Sequence, residues 1–267
     1  TSRIAFNADA AAQFIYQQHW MLLQMPYGII GVTLLTAIMP RMSRNAADGD
    51  DAAVVADLTM GTKLTFIALL PIIIFMTALG PDIAHALFAY GSFSPQAAHL
   101  LGLTISASSF TLIPYALVML HLRVFYAREE AWTPTFIIAG ITGTKILLSA
   151  LAPYIAQDPS HVVVLLGAAN GFGFVAGALI GALLLRRKLG TLRSSDVLRT
   201  SIWAVAAALV GVAVIFGVRW LLRDVAGLHL PEALGRLIGA PSLGNLIEVV
   251  LLGLLFLLPG LVLGVIA

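Results

Sequence analysis

The chain has 267 residues, of which 60% are hydrophobic and only 10% charged, with a formal net charge of +2. A soluble domain carries about a quarter charged residues, so a water-solvated globule is excluded and a lipid-facing surface is implied. The positive excess is small and dispersed, which excludes a nucleic-acid-binding stripe, and the absence of cysteine excludes disulfides, zinc–thiolate sites and thiol catalysis.

A helix needs about 20 apolar residues to cross the hydrocarbon core of a bilayer. Stretches 11–40, 53–79, 97–122, 134–156, 162–185 and 200–221 meet that need, and a seventh begins near 245. Backbone groups in lipid must pair within their own segment, so the class is all-α: a polytopic transmembrane helix bundle. Residues 1–10 read as the tail of an earlier span. The start at Thr1 and the finish inside the apolar run ending at Ala267 both read as cuts in a longer polypeptide.

The first span is locally polar at Gln17, Gln18 and His19, a pattern that suits a helix facing an aqueous cavity. Pro26 and Gly28 fall within it and Pro40 closes it, so it is expected to be kinked or broken. Asp48, Asp50 and Asp51 follow in a polar loop. Acidic residues there favour the start of the next helix and do not call for a metal. Pro71 is expected to interrupt the second span. Residues 81–96 mix Ile83, Leu87 and Phe88 with Asp82, His85 and Ser92, which reads as a short amphipathic helix at the interface.

His121 lies in the third span, where an interfacial, satisfied histidine is the plainer reading. Lys145 falls midway along the fourth. A charge at that depth costs about 2.5–3.5 kcal/mol even on the translocon scale and normally faces a bundle interior or a wet cavity. Its candidate partners are Glu248, Asn170 or an anionic substrate; the alternative is a lysine snorkelling to one interface. Gly173, Gly177 and Gly181 repeat at four-residue spacing on the fifth span, which permits close helix approach as a moving seam or as ordinary packing. Gly171-Phe172-Gly173 lacks the spacing and preceding strand of a dinucleotide fingerprint. No P-loop, HExxH or GxSxG occurs, so an enzyme is not expected and no cofactor or metal is called for.

If the spans alternate, one set of loops holds Arg41, Arg44, Arg123, Arg128, Arg186, Arg187, Lys188, Arg193 and Arg199, and the other holds Arg3, Arg219, Arg223 and Arg236. The positive-inside rule then places loops 42–51, 127–132 and 186–199 in the cytoplasm.

Two stretches carry a family resemblance. Pro26-Tyr27-Gly28-Ile29-Ile30-Gly31-Val32, running to Pro40-Arg41-Met42-Ser43, resembles a hallmark of the MviN/MurJ family. Arg123-Val124-Phe125-Tyr126-Ala127-Arg128-Glu129-Glu130 with Thr133-Pro134 is similar to that family's segment between its tenth and eleventh helices. Between them, Leu87-Phe88-Ala89-Tyr90-Gly91-Ser92-Phe93 fits its LF-x-x-G-x-F pattern. The resemblance implies the C-terminal half of a fourteen-helix, MATE-like transporter of the multidrug/oligosaccharidyl-lipid/polysaccharide exporter superfamily. Residues 1–190 would supply its second lobe and 191–267 a helix pair forming a groove for a lipid tail. The implied activity is flipping of a lipid-linked cell-wall precursor across the bacterial inner membrane by alternating access, with membrane lipids as neighbours and no nucleic acid.

Departures from the family accompany the resemblance. Relatives carry an arginine where Met21 stands here, with His19 two residues earlier. Relatives that appear to bind sodium do so through a polar pair at the positions of Lys145 and Ser149, so an ammonium here would replace the ion. The arginine- and alanine-rich composition, twelve arginines to three lysines, is in the style of actinobacterial members. In that branch a cytoplasmic region follows and recruits cell-wall regulators. A drug or polysaccharide-lipid exporter of the same superfamily and a non-transporting scaffold are the rival readings.

Overall fold

The computed structural model describes residues 12–88, 93–130, 132–156, 161–192, 194–225, 227, 229–232, 234 and 241–266. Among them every regular element is helical: α1 (Ala12–Pro26), a π turn (Tyr27–Gly31), α2 (Val32–Ala47), α3 (Asp51–Phe88), α4 (Pro95–Ser108), a 3-10 turn (Ser109–Thr111), α5 (Leu112–Ala127), α6 (Trp132–Ile155), α7 (Val162–Leu189), α8 (Ser194–Trp220) with a π turn (Leu221–Val225), and α9 (Pro241–Ile266). Five helical stretches are long and apolar enough to cross a membrane, or six if α1 and α2 count as one broken span. The expected spans are therefore present, and the shorter apolar helix Leu243–Leu257 lies where the seventh begins. The segment 89–92 of the LF-x-x-G-x-F match and residues 1–10, with Arg3, Arg193 and Arg236, lie outside the described residues.

Helix α3 is the hub. It packs against α2, α4, α5, α8 and α9, whereas α6 rests almost wholly on α7. At roughly 1.5 Å per residue its 38 residues, bent at Leu79, are more than a bilayer core requires. Its start is capped by the Asp50 side chain, which accepts from the Ala53 amide at 2.9 Å. Leu69, Leu101, Ile105, Leu120, Phe125 and Leu166 fill the centre of the bundle with almost no exposure. Gly190, at φ +79°, ends α7 and turns the chain towards α8.

The first span is broken as its prolines require. Pro26 and the π turn are joined by the Val32 amide donating to the Tyr27 carbonyl, five residues back. The axis then turns by 44° between Gln13–Leu34 and Thr36–Ala47. That bend sits one turn before Pro40, whose ring displaces the carbonyl four residues earlier.

Two sequence expectations are corrected here. Pro71 does not interrupt α3; the one non-helical residue reported inside it is Leu79 (φ −116°, ψ 17°), two residues before Pro81. Residues 81–96 are not one helix: the helical segment that follows the Leu79 kink runs to Phe88 at the end of α3, and Ser94 caps α4, accepting from the Ala97 amide at 3.1 Å. Backbone contact explains the kink's position. A β-carbon on Gly102 would collide with the Pro81 backbone, and one on Gly80 would lie 2.6 Å from the Gly102 carbonyl oxygen. Glycine at both positions lets α3 and α4 touch main chain to main chain.

Candidate functional site: a polar helix face and a buried charge

Helix α1 divides into two faces. Ile15, Tyr16, His19, Leu22 and Leu23 are buried against the bundle, which for α1 means α4 and α7. Gln17, Met21, Gln24 and Gly28 recur on the opposite face and are exposed. Amide side chains facing hydrocarbon would be costly, so this stripe marks a face suited to water. Gly28 has no atom within 4 Å of where a β-carbon would stand, leaving the backbone at the break open to approach. Behind it, Tyr27 packs edge-on against Tyr115 at 4.6 Å between ring centroids, and Trp20 stacks on Phe174 at 5.9 Å. The Tyr27 ring also fills the space beside Gly31, so an alanine there would displace it.

His19 is fully buried and its Nε2 points at the Gly167 backbone of α7, beside Thr104 and Ser108 of α4. The hydroxyls of Ser108, Thr111 and Ser149 are buried with no hydrogen-bond partner, as is Oε1 of Gln18. Lys145 on α6 is half-buried, its Cβ against Gly173, within electrostatic range of His19. Helices α6 and α7 run antiparallel, with Gly140 against Ile180, Ile141 against Gly177 and Lys145 against Gly173. One turn further, that register brings Ser149 level with Asn170, and both are buried. The structure thus brings His19, Lys145, Ser149 and Asn170 into one polar zone around α7. The glycine repeat is shared between two seams: Gly173 and Gly177 receive α6, and Gly181 receives His121 of α5.

Glu248 belongs elsewhere. It lies on α9 with its Oε1 3.3 Å from Arg219 Nε of α8, and Arg219 also donates twice to Asp82 of α3, at 3.1 and 2.8 Å. Glu248 is therefore not the counter-ion of Lys145, and among the described residues no carboxylate lies within ion-pairing distance of that ammonium. The Arg219 fork instead ties the last two helices to the segment of α3 beyond its kink.

At the opposite end the residues of the two motif stretches sort by contact. Arg41 pairs with the buried Asp57, which also accepts from Asn45 at 2.7 Å, fastening α2 to α3. Arg128 pairs with Asp51 and lies 3.9 Å from Glu130; Glu130 in turn holds Lys188 of α7 and accepts from Thr133 at 2.9 Å. Desolvation pushes the Glu130 carboxyl upward, but hydrogen bonds from Lys188 and Thr133 and the charges of Lys188 and Arg128 outweigh it and hold the group below its usual range. Glu129 is exposed with φ +57° and serves the turn. Arg123 is exposed at the end of α5. The three basic loops are thus gathered at one end, as alternating spans require. Sequence reasoning passed over Asp57 and Glu130; their only local signal is an acid inside or beside an apolar helix.

Comparison with known proteins follows the same lines. A family model described as lipid II flippase MurJ matches residues 1–230. The lipid II flippase MurJ of Burkholderia cenocepacia is 27% identical over 194 residues, covering 71% of this chain and 36% of that protein. A probable lipid II flippase MurJ of Rhizobium meliloti is 25% identical over 222 residues, covering 83% of this chain and 40% of that protein. A solved structure titled lipid II flippase MurJ, inward closed conformation, superposes with a TM-score of 0.70 at 17% identity, over 97% of this chain and 50% of that one. The chain spans less than half the length of these two curated relatives.

Proposed function

The chain belongs to the family of the lipid II flippase MurJ, and on that premise we propose that it forms the C-terminal half of a transporter for lipid-linked peptidoglycan precursor. Its activity is movement of the head group from the cytoplasmic to the outer leaflet, with no bond made or broken. Residues 1–190 act as the second lobe, rocking against a first lobe around the substrate. Residues 191–267 supply the helix pair that receives the lipid tail. The packing of α8 on α3 and α9, with Leu209, Leu251 and Leu254 left outward, supports that division.

The observation that carries the proposal is the exposed stripe Gln17, Met21, Gln24 and Gly28 beside a broken helix. It gives the head group a polar, deformable wall, and Arg123 stands exposed towards its basic end. Lys145 acts from behind as a fixed positive charge, drawing the anionic precursor into the lobe or releasing it as α6 shifts on α7.

The chain has no cysteine of its own, so single cysteines at Gln24 and Met21 report on this face. In the full-length transporter, a membrane-impermeant maleimide is expected to label both, and added lipid-linked precursor is expected to protect them. Labelling that is indifferent to precursor, or absent from both positions in every state, would remove this face from the transport path.

A further inference from the structure

We propose that the groove floored by α3 and α5 and walled by α7 and α8 is a binding site for one acyl chain of an anionic membrane phospholipid. This site is separate from the face assigned to transport, and it shares only α8 with the helix pair assigned to the lipid tail, since no residue of α1, α2 or α9 lines it. The cavity has a volume of about 860 Å³ and a lining that is overwhelmingly apolar, including Phe66, Leu117, Ala178, Ala182 and Leu198. It opens sideways, because α8 packs along α3 and α9 and leaves α7 across a gap. Leu179 and Leu198 stand at that opening, 60% and 62% exposed. In a bilayer this opening meets lipid tails, and an apolar groove of this depth holds hydrocarbon in preference to water.

Charge at one end selects the headgroup. The groove finishes at Leu192 and Ser195, between the end of α7 and the start of α8. Around that mouth lie Arg186 and Arg187 on the last turn of α7, Arg199 on α8, and Lys63 on α3. The arginines are exposed and, among the described residues, have no carboxylate partner. Lys63 has only a loose, 3.8 Å contact with Asp196. Four cations against one carboxylate, at the end assigned to the cytoplasm, complement a phosphate headgroup. Deeper in, His121 lines the wall, 5% exposed, with Nδ1 buried and unpartnered against Gly181. Thr59, Thr62 and Ser201 line the same slot but donate to carbonyls of their own helices, so His121 is the deep polar side chain that a ligand would meet, and the glycerol-ester end of an acyl chain is such a group.

The test uses the full-length protein in phosphatidylcholine nanodiscs doped with phosphatidylglycerol carrying a photoactivatable acyl chain, with equally labelled phosphatidylcholine as the comparison. Crosslinks are expected to concentrate on the peptides bearing Leu117, His121 and Ala178–Ala182, more with the glycerol headgroup than with choline. Ala182→Phe, which fills the slot, should abolish them, whereas Leu183→Phe on the neighbouring lipid-facing surface should leave them unchanged. Lys63→Gln should lower the headgroup preference about fivefold without altering the position of the crosslinks; this arm stands even if Ala182→Phe fails to fold. Crosslinks spread evenly over outward residues such as Phe136 and Leu183, or equal yields from the two headgroups, would overturn the proposal. Displacement of the probe by a polyprenyl diphosphate would overturn it too, by making the groove part of the transport path.

Discussion

Lys145 concentrates the functional argument at the residue scale. It stands midway along α6, and among the described residues no carboxylate lies within ion-pairing distance of it, whereas a charge at such a position ordinarily has a partner. Lys145→Ala should therefore leave thermal stability unchanged or slightly higher, while the transport rate falls by about tenfold, the worth of one charged contact to an anionic substrate. Parallel loss of stability and rate on purified protein would assign the lysine to packing instead. Ordered sodium beside Ser149 would also end the idea that the ammonium replaces an ion. Arg41 gives the opposite profile. Its partner Asp57 is buried, so Arg41→Ala leaves a carboxylate held by Asn45 alone and should cost roughly 2 kcal/mol. Chemical denaturation in detergent would measure it. The sequence displayed Arg41 and Lys145 plainly. It did not display that Arg41 would meet Asp57, nor that Glu248, a candidate partner of Lys145, would meet Arg219 instead, since both pairings are products of the fold.

Among the elements, the helices were largely legible and their joints were not. Apolar runs of about 20 residues report membrane spans directly because lipid offers no other partner for the backbone. The stretch after Pro81 misled, because Asp82 and His85 look like a polar surface when read locally. Asp82 is in fact consumed by Arg219, 137 positions away, and the kink falls at Leu79 because Gly80 and Gly102 allow α4 to press there. Gly102→Ala is accordingly expected to destabilise by about 1–3 kcal/mol, since the clash is with main chain that cannot rotate away; a neutral result in thermal unfolding would show the two helices sliding apart freely. The Glu130 cluster makes a pH-dependent joint. Its folded pKa lies below the ordinary 4.5, so its stabilisation is fully present above that value and fades as pH falls through the lower, folded one. Wild type should exceed Glu130→Gln in melting temperature at neutral pH, and the two curves should converge in acid. A constant gap across pH 3 to 7, measured with roughly half-unit steps, would contradict that origin.

For the whole molecule, the parts form one lobe clamped at both ends. Arg41–Asp57 and the Arg128–Glu130–Lys188 cluster fasten the basic end, and Arg219 with Asp82 and Glu248 fastens the other. Between them the first span is broken at its π turn and α6 is held almost only by α7, which fits the proposed rocking of a body with one adjustable wall. Gly173 and Gly177 let α6 approach α7 closely without leaving a void. The proposed transport role gives a use to Lys145, which among the described residues has no carboxylate partner, and to the exposed Gln17 and Gln24, which a scaffold would not. The decisive measurement is the leaflet accessibility of lipid-linked precursor in cells depleted of the full-length parent and complemented with wild type or Lys145→Ala. Precursor trapped on the cytoplasmic side, released by wild type and poorly by the variant, is the expected result. Unchanged export on depletion, in a strain lacking any second flippase, would contradict the account.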